Sequence, residues 1–234
     1  MRKPHFIAIA ALVTAMVMTA SSAASASSVA EPVADAPVVA LVRDASGNLI
    51  PVDEVMQPHL DLDEPAPVQP GTITTQLINF DQWFRCFSLN QKDESFSLYT
   101  FYDNGNFQDV RLKCGEQNDA TATGWGYKHI RAGKEGSWQD KLNAARDKGW
   151  VPESQNVEGW DDLMNIGAGT SITYWNYASP IKGNNTKCTV SNLTFARIDS
   201  NGSWQIVYDF NVVAVFAINS DRLITAYPTG SSVC

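Results

Sequence analysis

The stretch Gly124-Trp125-Gly126-Tyr127-Lys128-His129-Ile130-Arg131-Ala132-Gly133-Lys134 sets one imidazole among several cations. The chain has two other histidines, but His5 falls in an apolar leader and His59 in an acidic, proline-rich stretch. A lone His129 beside Lys128, Arg131 and Lys134 describes an anion or phosphate site with a proton-transfer group in it, because only imidazole titrates near neutrality without help. The same residues admit a structural reading, in which the cations solvate a loop and His129 caps or packs on the next helix. No cysteine or histidine spacing suits a metal, so none is expected.

The surrounding composition shows which part of the chain must position these groups. Arg2 and Lys3, an apolar run from Phe6 to Met18, and Ala24-Ser25-Ala26 read as a secretory signal peptide over 1–26. The apolar run falls short of the roughly 20 residues a spanning helix needs, so stable membrane insertion is not expected. Residues 27–71 carry seven prolines, with eight acids against one base, and read as an acidic linker or propeptide. Within it, 38–42 is apolar and 45–48 turn-like, which would suit one small hairpin, but the composition favours a linker. Most of the chain's net charge of −8 thus lies outside 72–234. That domain is only mildly acidic, which disfavours a broad nucleic-acid face and permits a small local basic site.

All four cysteines fall in 72–234, and with an export signal they are expected to form disulfides. Of three pairings, Cys86 with Cys114 and Cys188 with Cys234 each close a modest loop around consecutive strands, worth roughly 3–4 kcal/mol apiece by chain entropy. Alternating residues over 95–102 and 106–114 flank Asp103-Asn104-Gly105, which predicts a hairpin with a tight turn. Residues 84–89 are predicted as a neighbouring strand. Helices are predicted over 138–148, capped at Ser137, and over 159–165. Strands follow at 172–177, 188–198, 204–210, 212–218 and 223–227, with turns at 199–202 and 219–221. The expected fold class is α+β: an N-terminal β-hairpin region, one or two helices, then a C-terminal antiparallel sheet with the helices on one face.

Four pieces in order, Gly126-Tyr127-Lys128-His129-Ile130, Thr194-Phe195-Ala196-Arg197, the run from Gly202 to Tyr208, and Leu223-Ile224-Thr225-Ala226-Tyr227-Pro228, resemble the secreted ribonuclease domains of bacterial polymorphic toxins. These belong to the grouping that joins barnase, EndoU, colicin-type ribonucleases and RelE. The resemblance implies a metal-independent endoribonuclease, needing no cofactor, that cleaves RNA through a 2′,3′-cyclic phosphate. It implies His129 as acid/base, with Arg197, Thr225 and Tyr227 completing the catalytic set and Lys128, Arg131 and Lys134 binding substrate. RNA is the implied partner, and an immunity or inhibitor protein a further one. Where several such domains carry a second histidine, this chain has Gly133-Lys134, so Lys134 is the candidate substitute.

Each of these residues has a plainer reading. Arg197 could pair with Asp199, Thr225 and Tyr227 are good strand formers, and Tyr174, Trp175 and Tyr177 read as packing rather than a stacking platform. The rival expectation for the whole is a catalytically silent secreted binding or structural domain of the same fold. Ser-His-Asp chemistry is disfavoured because the one domain histidine sits among bases rather than acids.

Overall fold

The computed structural model describes residues 36–44, 46–55 and 77–234. The expected signal peptide over 1–26, and much of 27–71, lie outside these residues. The described chain is α+β, with an antiparallel sheet carrying the main helices on one face.

The sheet is built around two long strands, β8 (Thr186–Ile198) and β9 (Trp204–Ala217), joined by the expected turn. Asp199 Oδ1 accepts from the Asn201 and Ser203 amides, and Gly202 takes the positive φ that closes the turn. The predicted break between 210 and 212 does not occur. β9 runs straight through, because Phe210, Val212, Ala214 and Phe216 keep one face buried without interruption. β10 (Leu223–Thr229) pairs with β9 and forms one edge. Against the other side of β8 lie β7 (Tyr177–Ala178) and β1 (Val39–Arg43), with β2 (Leu49–Pro51) outside β1.

β1 and β2 correct the linker expectation. Ala40, Leu41 and Val42 are fully buried, so this apolar piece of 27–71 belongs to the domain, followed by the short helix α1 (Val52–Val55). Gln155 fixes it there: its Oε1 accepts from the Ala40 amide and the Trp150 indole, and its Nε2 donates to Ala40 O. The small hairpin that 38–42 and 45–48 suit is formed by β1 and β2, and β8 joins it to the sheet.

The predicted hairpin is present as β3 (Ser95–Asp103) and β4 (Asn106–Lys113), and Asn104 and Gly105 both take positive φ. The predicted strand over 84–89 is absent. There, α2 (Phe80–Trp83) runs on into a π-helical turn over Phe84–Ser88, opened by a reciprocal Asn79–Gln82 cap. Both expected disulfides are formed, Cys86 to Cys114 and Cys188 to Cys234.

Short strands β5 (Glu116–Asn118) and β6 (Thr123–Trp125) pair with one another and lead into α3 (Gly126–Asp147). This helix begins well before the predicted 138, and Ser137 lies within it rather than capping it. Tyr127, Ile130, Trp138, Leu142 and Ala145 form its buried face. α4 (Trp160–Thr173) extends past the predicted 165 and takes the first two residues of the expected 172–177 strand, of which only Tyr177 is in a strand. Asp162 opens it by accepting from the Glu158, Gly159 and Leu77 amides. The two helices meet at Gly167, where a Cβ would stand 2.5 Å from the Trp138 ring. Tyr174 and Trp175 pack on the core edge, as expected for packing residues. Among the described residues no helix is long and apolar enough to cross a membrane.

Candidate functional site

His129 sits in the first turn of α3, not in a loop before it. The helix can begin there because Gly126 takes φ +74° with its α-carbon against β4, where a Cβ would fall 2.5 Å from Lys113 O. Cys114 O then accepts the Lys128 amide at 3.0 Å, so the helix start is tied to the Cys86–Cys114 disulfide. Gly124, Gly126 and Gly133 made this stretch look irregular, while the signal for a helix was the apolar spacing from Tyr127 through Ile130 to Trp138.

His129 Nδ1 lies 2.9 Å from Gln117 Oε1 on β5. With that oxygen as acceptor, Nδ1 carries the proton and Nε2 is left as the basic nitrogen. Burial, and after it the Lys134 charge, lowers the His129 pKa below its ordinary value, which favours the neutral imidazole a general base requires. Sequence reasoning gave no hint of Gln117, since nothing in its neighbourhood marks it out.

Lys134 reaches the edge strand, its ammonium 4.9 Å from the centre of the Tyr227 ring. Tyr227 and Thr225 pair with Val213 and Val215, and so share a sheet face, as their spacing by two requires. That face is the one opposite the helices: Tyr227 packs with Cys188, Val190 and Val213, while Leu223 and Ala226 face the main core. The strand pair therefore does not face His129 across a cleft. The link between them is Lys134 at the β10 edge. Thr225 Oγ1 is buried and has no hydrogen-bond partner among the described residues, next to an irregularity in the β9–β10 register.

Arg197 does not join this group. It pairs across the sheet with Gln205, whose Oε1 accepts from its Nε at 3.0 Å. Leu223, at the start of β10, pairs with Phe216, and the length of β9 from Gln205 to Phe216 is roughly 35 Å at ~3.3 Å per residue. α3 spans the same direction. Its start lies by Trp125, whose ring stacks under Arg222, and its later turns put Lys141 over Tyr208 and Phe210. His129 and Arg197 stand at opposite ends of the helix, too far apart to serve one phosphate.

Lys128 and Arg131 line a different surface, an open groove of about 700 Å³ that also includes Phe87, Asn90, Glu116 and Gln117. Both cations sit on the Phe87 ring, at 5.5 and 5.3 Å from its centre. Arg131 pairs with Glu135, and Lys92 with Glu116, whose pKa is lowered chiefly by that contact. Lys128 donates instead to the neutral Asn90 Oδ1 at 2.8 Å, and burial, then the nearby Lys92 charge, lowers its pKa. Gln117 joins groove and histidine, since it lines the one and holds the other.

Compared with known family models, curated proteins and solved structures, the chain matches none.

Proposed function

We propose that this chain is a secreted, metal-independent endoribonuclease-like domain of the toxin type, cleaving RNA through a 2′,3′-cyclic phosphate. The observation that carries the reading is Lys134, which lies on the Tyr227 ring and also acts electrostatically on His129. It connects the helix and the final strand that the resemblance singles out. In this reading His129 Nε2 takes the 2′-hydroxyl proton and the 2′-oxygen attacks phosphorus. Lys134 neutralises the charge growing on phosphate and protonates the departing 5′-oxygen, in place of a second histidine. Tyr227 offers a hydroxyl at the same edge, Thr225, whose hydroxyl is buried, takes no direct part, and Lys128 and Arg131 hold flanking phosphates. Arg197 has no part in it. DNA, lacking the 2′-hydroxyl, is not a substrate.

Two disulfides support export to an oxidising compartment. A second reading, a silent binding domain, is favoured by the remote Arg197, because a cation expected at the phosphate is missing from the cluster. The test is cleavage of labelled RNA in EDTA between pH 5 and 8, by the wild-type chain and His129→Ala. Cyclic phosphate ends made only by the wild type support the ribonuclease. Intact RNA with both proteins leaves the binding domain.

A further inference from the structure

The helical segment before β3 spends its aromatics unusually. Phe80 is 76% exposed and Trp83 and Phe84 are each 44% exposed, whereas Trp138 and Trp150 are buried. The exposed rings are ordered against one another: Phe80 lies near-parallel to Trp83 and to Phe84 at 6.4 Å, and Trp83 meets Phe87 at 5.5 Å. Phe87 in turn carries Lys128 and Arg131 on its ring. One continuous surface thus passes from open aromatic faces to two cations.

We propose that this surface is a stacking track for single-stranded RNA, with bases on Phe80, Trp83 and Phe84 and the adjoining phosphates on Lys128 and Arg131. The choice of RNA rests on the ribonuclease reading; the surface itself selects the form of the strand. Unpaired bases offer the flat faces that exposed rings bind, whereas a duplex keeps its faces stacked inside. A neutral sugar would use the rings and leave the cations idle. Lys128 is suited to an anion because, among the described residues, its hydrogen bond goes to the neutral Asn90 rather than to a carboxylate. The indole of Trp83 and the guanidinium of Arg131 both contact Phe87, so base and phosphate sites lie within a nucleotide's reach. The Cys86–Cys114 disulfide fixes the aromatic helix beside the start of α3, so the track leads toward Gln117 and His129.

The experiment uses the full chain and a short labelled 2′-O-methyl RNA, which binds but cannot be cleaved because its 2′-oxygen is blocked. Anisotropy should show the single strand binding more tightly than its duplex. Trp83→Ala and Phe84→Ala should weaken single-strand binding by about tenfold each, the size of one lost stacking contact. Trp83→Phe should retain most of it, with melting temperatures unchanged. Lys128→Ala should lower the salt slope by about one. Equal binding by folded wild type and Trp83→Ala would overturn the proposal, as would a duplex bound as tightly as the single strand. Cleavage of ordinary RNA separates the two readings. Binding that follows Trp83 while no RNA is ever cut removes the ribonuclease and keeps the track. Cleavage with a KM indifferent to Trp83 removes the track alone.

Discussion

The two ends of α3 are made of different material. Its first turns carry His129, Lys128, Arg131 and Lys134 on a partly exposed side, with Tyr127 and Ile130 buried beneath them and a glycine approach, a backbone hydrogen bond and a disulfide fixing the start. Its later turns carry Trp138, Leu142 and Ala145, buried against α4 and the sheet, with Trp150 edge-on to Phe195 just beyond. Titratable groups thus collect where burial is partial, and packing energy where it is complete. The packed end holds the helix, and single contacts such as His129 with Gln117 and Lys134 with Tyr227 order the polar side chains at the other.

The comparison predicts separable losses. Trp138→Ala should be the most damaging to the fold, at about 3–5 kcal/mol, since it empties the space over Gly167. Thermal unfolding should show it, while His129→Ala unfolds close to wild type. Replacing Cys86 and Cys114 with serine should cost about 2–4 kcal/mol by chain entropy. It should also lower RNA binding more than an equal destabilisation at Trp138 does, because it frees the aromatic helix from the start of α3. Arg197→Ala should cost no more than about 1 kcal/mol and leave cleavage intact, since its place is far along β8.

The smallest effect is the pH dependence of stability. The folded-state pKa of His129 is lowered, so its protonation disfavours the fold. The stability it contributes is fully present above the unfolded value near 6.5 and is lost as pH falls through the lower folded value. Melting temperatures should therefore dip more steeply below pH 6.5 in the wild type than in His129→Asn.

What could be read in advance follows from how local the signal is. The β3–β4 hairpin, the β8–β9 turn and both disulfide pairings were legible because Asn104-Gly105, Asp199 with Gly202, and the cysteine spacings act over short chain distances. The start of α3 was obscured by glycines whose need is tertiary, Gly126 packing on β4. Phe84, Phe87 and Leu89 suggested a strand because an aromatic run fits one, yet the segment is helical and leaves rings in solvent. The β1–β2 hairpin was readable at 38–48 but outweighed by the proline-rich composition, since what ties it to the fold is β8, far along the chain. Within the candidate site, the alternation of Thr225 and Tyr227 was readable, but not which sheet face they occupy. Nor did the sequence show that β8 and β9 are long enough to carry Arg197 away from His129.

In the proposed ribonuclease, proton transfer belongs to the His129 and Lys134 end of α3 and not to Arg197. The most direct measurement is the rate of cyclic-phosphate formation from one RNA by His129→Ala, Lys134→Ala and Arg197→Ala, each first shown to be folded. His129→Ala should lose about 10²–10⁴-fold, the usual worth of a general base, Lys134→Ala should show a clear loss, and Arg197→Ala should keep the wild-type rate. A His129→Ala protein that cleaves like wild type, or an Arg197→Ala protein that is equally dead, would contradict that assignment.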